Sequence, residues 1–392
     1  MTDRSTGSAD PPHRHQAGED LLSGESVLTP IDEPQGDVPR QELVDQLSLA
    51  SRMRRPRTLI SLALPLLLLL LVVVALPGFR LNELPGKILA ANPLLLIAAF
   101  LVYYAGFPLR GLRWAMLIRG AGSRLGTRDA TEIIFISWLV NCLVPAKLGD
   151  IYRAYLLKIN SDVSLSRTFG TVFIERILDL FAIVLLALAS GFVSFRDGLT
   201  NEVRIVFLIG IAVVILLLAA LLTLRNFGRR LIARLPLPHR VIDLYDRFEE
   251  GVFGAIGLRA LPGLVILTGL VWATEGLRLY LVIEALGLSD VHLGLSGAYF
   301  VALAGSLLTA VPLTPAGLGV VELGVAGLLT VVYGLPSTEA GAIIVVDRAI
   351  SVLSIIILGA IAYVISPLRK GRGLRDADPS EPPSRSSGIA PV

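Results

Sequence analysis

The sequence predicts an all-α, multi-pass membrane protein with about six full spans and two re-entrant helical hairpins arranged as inverted repeats. Three observations support this fold class: composition, long apolar runs, and a broken motif that occurs twice. Of the 392 residues, 54% are hydrophobic and 17% are charged, whereas soluble domains carry roughly 25% charged residues. Several apolar runs approach the length of about 20 residues that a helix needs to cross a bilayer.

The repeated motif is a Pro-Ala-x-Leu-Gly break, followed about 30 residues later by an acid–Arg doublet inside a hydrophobic run. The first copy lies at 141–150 with its doublet at Glu175-Arg176. The second lies at 311–319 with its doublet at Asp347-Arg348. Helix breaks and ionised residues are both costly at membrane depth. Their pairing in two corresponding positions indicates a binding site between two repeats of a transporter-like fold.

The spans follow from the apolar runs taken in chain order. Six full spans are predicted, at about 58–77, 91–109, 168–193, 204–224, 262–286 and 341–365. The broken segments at 131–157 and 295–333 are too short on either side of the break to cross alone, so each is predicted to form a hairpin. Irregular backbone of this kind survives only where protein or water covers it.

The distribution of basic residues predicts the topology. With a cytoplasmic N-terminus and two hairpins, the basic stretches after spans two, four and six all fall on the cytoplasmic side. The first of these stretches includes Arg110, Arg113 and Arg119, which are therefore expected at the cytoplasmic interface, where they would attract anionic lipids. The two hairpins then enter from opposite faces, so the repeats are inverted.

Three regions are predicted. Residues 1–50 form a disordered cytoplasmic tail that is poor in aromatics, residues 55–368 form the transmembrane domain, and residues 369–392 form a second disordered cytoplasmic tail. Apolar residues recur at helical spacing between Val241 and Ile256, which predicts an amphipathic helix on the membrane surface. The predicted location is the cell membrane, inner or plasma.

These motifs resemble the membrane region of lysylphosphatidylglycerol synthases and the wider group of flippase-like integral membrane proteins. The resemblance covers about 55–368. It implies a part that moves a lipid to the other leaflet. Because only a short polar stretch follows the last predicted span, we expect this chain not to carry the synthase activity of the bifunctional members. Other members are associated with hopanoids, cardiolipin or polyprenyl-linked sugars, so the resemblance does not fix the lipid.

The intramembrane charges are the candidate site, because ionisable residues at this depth are functional by default. Arginines supply forked donors for a lipid phosphate, and the carboxylates hold those arginines or bind an amino headgroup. The candidate headgroup-binding residues are Arg153, Arg176, Arg348, Asp150, Glu175, Asp179, Glu322, Asp347 and Asn141. The alternative interpretation is that the charges only clamp the hairpins to the spans.

Sequence spacing predicts several pairings among these charges. Arg176 and Asp179 are three residues apart and can pair, whereas Glu175 and Asp179 share a face and need a cation from elsewhere, for which Arg153 or Arg348 is the candidate. Glu275 and Arg278 are also three apart, and a structural pair is expected there.

The breaks themselves are predicted to be architectural. Their helix-breaking residues expose backbone dipoles to the cavity. These residues are Pro145, Gly149, Pro312, Pro315, Gly317 and Gly319. Asn141 and Thr314 are expected to bond either the freed backbone or a headgroup, with the backbone favoured. Lys147 has no counterpart in the second repeat, where Gly317 stands, and therefore receives less weight.

The predicted function is translocation of a phospholipid or polyprenyl-type lipid between leaflets, without enzymatic activity. A first alternative is a membrane scaffold that partners a separate lipid-modifying or glycosyltransferase enzyme. A second is a lipid-modifying enzyme that uses Asp150 or Glu175 as a base. Because there is a single cysteine and the four histidines are scattered, no metal site is expected. The sequence contains no phosphate loop and no nucleotide-binding fingerprint, so no cofactor is expected either. Nucleic acid is not an expected partner; a homo-oligomer is compatible with the sequence.

Overall fold

The computed structural model of this chain is all-helical in the part that it describes. The described residues are 67, 70–71, 74–144, 147–161, 163–196, 198, 201–234, 238–288, 293–309, 314, 317–371 and 373–374. They all lie in one compact unit, Ser48–Val392. The first predicted tail, most of the second (all but 369–371 and 373–374), most of the predicted span 58–77, and the three prolines Pro145, Pro312 and Pro315 lie outside the described residues.

Twelve helices are numbered here in chain order. They are α1 Leu84–Leu89, α2 Pro93–Gly120, α3 Thr127–Leu143, α4 Leu148–Asn160, α5 Leu165–Ser194, α6 Asn201–Arg234, α7 His239–Gly254, α8 Leu261–Leu286, α9 Gly294–Leu308, α10 Val320–Gly327, α11 Ser337–Arg348 and α12 Ser354–Ile365. Short 3-10 turns lie at Leu81–Glu83 and Leu368–Lys370. Two π-helical segments, Leu328–Val332 and Ala349–Leu353, continue α10 and join α11 to α12.

Five helices of the described residues are long and apolar enough to cross a membrane. These are Pro93–Gly120, Leu165–Ser194, Val203–Ala220, Leu261–Leu286 and Ser337–Ile365. They coincide with five of the six predicted spans, which confirms a multi-pass helical membrane protein. The total number of spans stays a prediction, because the remaining one lies mostly outside the described residues.

Helix α2 is longer than predicted and reaches Gly120 rather than residue 109. Its start is fixed by Pro93 at the first helical position and by Asn92, whose Oδ1 accepts from the backbone N–H groups of Leu94 and Leu95. Pro108 lies inside the helix without ending it. The basic stretch after the predicted span is therefore partly helical and continuous with the span.

Each predicted hairpin appears as two short helices on either side of the break. Helices α3 and α4 have 17 and 13 residues, and α9 has 15, so none reaches the roughly 20 residues of a full span. The two helices of the first pair contact each other closely: a Cβ on Gly149 would lie 2.0 Å from the Ser137 carbonyl oxygen. Entry and exit from the same membrane face stay a prediction.

The contacts between helices follow a reciprocal pattern that relates two halves: the first half is α2–α5 with the first break, and the second half is α8–α12 with the second break. The first long helix of each half, α2 and α8, pack on each other. The first hairpin helix of each half packs against the other half near its doublet. Helix α9 contacts α5, which carries the first doublet, and α3 contacts α12, which continues α11 beyond the second doublet. This exchange is the contact pattern of a pseudo-two-fold arrangement, and it places both breaks and both acid–Arg doublets around one centre.

The predicted amphipathic helix corresponds to α7, His239–Gly254. It packs on α5 where two glycines meet, because a Cβ on Gly251 would lie 2.2 Å from the Arg167 carbonyl oxygen. Arg167 also pairs with Glu250 at 2.5 Å. Part of α7 is thus covered by protein, while Leu244 stays 57% exposed. The location on the membrane surface is not tested by these contacts.

Candidate functional site

A cavity of about 200 Å³ lies between the two halves. Its wall is built from α2, α3, α5, α8, α9, α10 and α11, and from both breaks, which contribute Lys147 on one side and Thr314 and Gly317 on the other. Pockets for drug-sized ligands measure roughly 300–1,000 Å³. The cavity therefore suits a polar headgroup, whereas acyl chains would have to remain outside it.

In the first half, the doublet arginine holds the acid of the hairpin. Arg176 donates through Nη2 to Asp150 Oδ1 at 2.6 Å and through Nε to Asp150 Oδ2 at 3.0 Å. This two-point contact is the strong geometry for a guanidinium and a carboxylate. The predicted contact with Asp179 is also present, at 3.5 Å. With 32% of its side chain exposed, Arg176 is accessible from the cavity.

The doublet acid is held by an arginine of another helix. Arg113 of α2 contacts Glu175 at 2.9 Å and Asp179 at 2.6 Å. The sequence offers Arg153 or Arg348 as a cation for these acids, and Arg153 does contact Glu175, at 3.0 Å. The Arg153 guanidinium also lies 4.8 Å from the centre of the Trp114 ring. Arg348, the other candidate, pairs elsewhere. The carboxylates at 175 and 179 are thus shared between cations of three helices, α2, α4 and α5.

The second half repeats this layout. Its doublet arginine, Arg348, contacts the hairpin acid Glu322 at 2.9 Å, and Glu322 reaches back to the N–H of Gly319 at the start of α10. Its doublet acid, Asp347, accepts from Arg278 Nε of α8 at 2.9 Å. Each half therefore joins a doublet arginine to a hairpin acid and a doublet acid to an arginine of its first long helix.

A further ion pair connects the two halves directly. Arg110 of α2 contacts Glu275 of α8 at 2.6 Å, and Glu275 also pairs with Arg278 as predicted. Since α2 and α8 occupy corresponding positions in their halves, this pair bridges the pseudo-two-fold interface. Trp272 adds a donor at the same level, from Nε1 to Asp179 Oδ1 at 2.9 Å.

The predicted interfacial location of Arg110 and Arg113 is wrong. Both are buried, with 4% and 1% of their surface exposed, because α2 continues past residue 109 and carboxylates of α5 and α8 neutralise them. Arg119, Arg124 and Arg128 are exposed at and after the end of α2. These three residues still satisfy the positive-inside argument for that loop.

The first break is held by a side chain as predicted. Asn141 Oδ1 accepts from the backbone N–H of Gly149 at 2.8 Å, which anchors the start of α4 on the end of α3. Lys147 has a φ of 51°, and Gly317 at the corresponding position of the second break has a φ of 73°. Both breaks thus use a left-handed residue at the same point. Gly319 also has a positive φ, of 92°.

The structure brings most of the candidate residues to one place. The cavity wall includes Asn141, Glu175, Arg176, Asp179, Gly317, Glu322, Asp347 and Arg348. Asp150 and Arg153 lie directly behind the wall and contact Arg176 and Glu175 there. Arg153 is 2% exposed, so it acts on the cavity through Glu175 rather than by facing it.

Sequence reasoning missed the charges on the two long helices. Arg110, Arg113, Glu275 and Arg278 all line the cavity. A signal was available: in both helices the charged residues stand three apart within an apolar sequence, which places them on one face. The two carboxylates considered as catalytic bases, Asp150 and Glu175, are each in contact with guanidinium groups. Within the described residues, no three metal-ligating side chains come together.

Comparison with known proteins places the chain among membrane proteins. The family model described as lysylphosphatidylglycerol synthase TM region matches residues 58–359. A UPF0104 membrane protein of Methanocaldococcus jannaschii is 37% identical, over 58% of this chain and 93% of that protein. A UPF0104 membrane protein of Methanothermobacter thermautotrophicus is 29% identical, over 76% of this chain and 90% of that protein.

One further relative carries a different name. The glycosyltransferase AglD of Haloferax volcanii is 27% identical, over 86% of this chain and 61% of that protein. The match thus leaves more than a third of AglD without a counterpart in this chain.

Proposed function

Because this chain belongs to the lysylphosphatidylglycerol synthase transmembrane region family, we propose that it moves the headgroup of a membrane lipid between leaflets. The headgroup enters the charged cavity between the two halves, and the acyl chains remain in the bilayer. Rocking of one half against the other across the α2–α8 interface opens the cavity to each leaflet in turn. The protein performs this task as a membrane transporter and not as an enzyme.

The observation that carries the proposal is the doubled ionic layout around one cavity. The wall and the residues directly behind it hold seven cationic side chains and six carboxylates. A buried ion pair is often no more stabilising than apolar residues of the same volume. Stability alone therefore does not explain so many intramembrane charges, whereas a polar path for a headgroup does.

Translocation by reconstituted protein tests the proposal. Proteoliposomes with tail-labelled fluorescent phosphatidylglycerol and phosphatidylcholine are treated with an impermeant quencher, and the fraction of label that reaches the outer leaflet is followed over time. We expect faster exchange of at least one lipid than in protein-free vesicles. Arg176→Gln should slow it about tenfold or more, because it removes a charge-assisted contact on the cavity wall.

The matched control is Arg196→Gln, an exposed arginine after α5 that does not line the cavity. It should exchange lipid as fast as the wild type. The proposal is refuted if the folded, monodisperse wild type exchanges neither lipid faster than empty vesicles, with or without an imposed lipid or proton gradient.

A second candidate function is a membrane scaffold for a separate lipid-modifying or glycosyltransferase enzyme. The observation that favours it is the name of AglD, in which the matching region accompanies further sequence. A stable complex that co-purifies with such an enzyme, together with absent lipid exchange, would favour the scaffold over the translocase.

A further inference from the structure

One charge on the cavity wall stands outside the ionic layout. Every other charged residue on the wall, among those that the structure describes, lies in an ion pair. Lys147 lines the same cavity, and its ammonium group makes no ion pair or hydrogen bond with the described residues. A cation in this position is costly unless a partner arrives from outside the protein.

The backbone at Lys147 makes its presence more informative. Its φ of 51° lies in the left-handed region, which L side chains avoid and glycine tolerates. The second half fills the corresponding position with Gly317, also left-handed at 73°. The first half therefore accepts strain to place a side chain where the second half has none, and strain of this kind clusters at functional sites.

The charge balance indicates what that side chain binds. With seven cations and six carboxylates in and behind the wall, the site carries one excess positive charge. Helix α4 begins directly after Lys147, and the partial positive charge of its N-terminus adds to the attraction for an anion. One negative charge would neutralise the site, and a phosphodiester carries one negative charge.

The opposite break supplies an unused hydroxyl. Thr314 lines the cavity, and its Oγ1 is buried without a hydrogen-bond partner among the residues that the structure describes. A buried hydroxyl without a partner is costly, and a phosphodiester oxygen would satisfy it. The sequence predicts a backbone or a headgroup partner for this hydroxyl, and no backbone partner is found among the described residues. A cation from one break and a hydroxyl from the other thus face a common space.

We propose that Lys147 and Thr314 form the binding site for the phosphodiester of a singly anionic lipid headgroup. This inference rests on the proposed function and gives it a substrate class: lipids with one net negative charge, such as phosphatidylglycerol, rather than zwitterionic lipids. The paired arginines shape the site, and Lys147 provides the charge that the ligand neutralises. Asymmetry between the halves makes the site single rather than doubled.

Lipid binding by the purified full-length chain tests this inference. Phosphatidylglycerol and phosphatidylcholine with identical acyl chains are titrated, and bound lipid is counted by native mass spectrometry. We expect the wild type and Lys147→Arg to prefer phosphatidylglycerol. Lys147→Gly should lower that preference about tenfold, the usual effect of losing one charge-assisted hydrogen bond.

The glycine variant also separates binding from folding. Because glycine fits the left-handed backbone, Lys147→Gly should keep or raise the apparent Tm while the preference falls. Lys158→Gln, in the last turn of the same helix and away from the cavity, should leave both unchanged. A preference for phosphatidylglycerol that survives in Lys147→Gly overturns the inference.

A competition arm separates a lipid from a soluble ester. Glycerophosphoglycerol, which is the same headgroup without acyl chains, should compete weakly; competition as strong as that of the lipid overturns the assignment to a lipid. Failure of the inference is distinct from failure of the proposed function. If Lys147→Gly loses the preference for phosphatidylglycerol but the wild type does not exchange lipid, the binding site stands and the proposed function fails. If the wild type exchanges lipid but Lys147→Gly keeps the preference, only the role of Lys147 is refuted.

Discussion

At the scale of single residues, the intramembrane charges form two matching sets. Each doublet arginine contacts a hairpin acid, as Arg176 does with Asp150 and Arg348 does with Glu322. Each doublet acid contacts an arginine of a long helix. The ionic layout is therefore repeated although the two hairpin acids differ in type and in position. Asp150 directly follows the glycine of its break, whereas Glu322 lies three residues after Gly319.

Arg113 is the residue whose loss should destabilise the fold most clearly. It contacts both Glu175 and Asp179 and is 1% exposed. Arg113→Gln leaves a buried acidic pair short of its shared cation, and breaking a buried ion pair costs about 3–5 kcal/mol. We expect a clear fall in the apparent Tm of the detergent-purified protein, measured by thermal unfolding.

The matched comparison is Arg119→Gln, on the same helix but exposed at its end. Its Tm should stay close to that of the wild type, because exposed charges contribute little. Equal Tm values for the two variants would show that Arg113 does not hold the acids of α5.

The sequence alone identifies the doublets as site candidates, because ionised residues inside apolar runs are rare. It does not identify their partners. Arg113 and Asp179 are 66 residues apart, and Arg278 and Asp347 are 69 apart, so the pairings follow from tertiary packing. Spacing rules predict contacts such as Glu275 with Arg278, which lie within one helix.

At the scale of helices, the breaks are the most predictable feature. Proline and glycine end helices for local reasons, and the structure has short helices on both sides of each break. The end of α2 is less predictable, because a basic stretch after an apolar run is typical of a membrane interface. In this chain buried carboxylates compensate the charges, which local sequence does not reveal.

The α5–α7 contact depends on a close approach of backbones. A Cβ on Gly251 would lie 2.2 Å from the Arg167 carbonyl oxygen, and overpacking of this kind costs about 1–3 kcal/mol. Gly251→Ala should therefore loosen α7 from α5. We expect faster hydrogen exchange in peptides from 239–254, with little change in α8.

Gly254→Ala, three residues further along the same helix, is the control. Its Cβ would meet the Gly120 carbonyl oxygen at 3.5 Å, an ordinary contact, and alanine favours the helix. Exchange in α7 should stay the same or slow down. If both variants exchange at the same rate as the wild type, α7 is not held by the glycine contact.

At the scale of the whole molecule, the two halves exchange contacts reciprocally. Helix α9 packs on α5, α3 packs on α12, and α2 packs on α8. The repeated motif predicts this arrangement in outline, because two equivalent sequences form equivalent structures. Composition and charge pattern do not predict the exchange itself. It depends on small residues such as Gly359, whose Cβ would lie 2.9 Å from that of Leu139.

Reciprocal packing matters for function because it gives the cavity two equivalent flanks. If the halves are inverted, a movement that closes one flank opens the other, and the cavity faces each leaflet in turn. The positive-inside pattern supports this orientation. Lys147 breaks the equivalence opposite Gly317, so in the proposed movement a ligand meets this one charge whichever leaflet the cavity faces.

Access to the cavity from both faces of the membrane is the most direct test of the central claim. Ser306 of α9 lines the cavity, and Ser306→Cys in a Cys142→Ser background carries a single thiol there. Oriented proteoliposomes are treated with a small membrane-impermeant thiol reagent from either face, and Arg119→Cys in the same background serves as the one-sided control. We predict that Ser306→Cys reacts from both faces and Arg119→Cys from one. Reaction of Ser306→Cys from a single face would contradict alternating access and leave a closed, one-sided pocket.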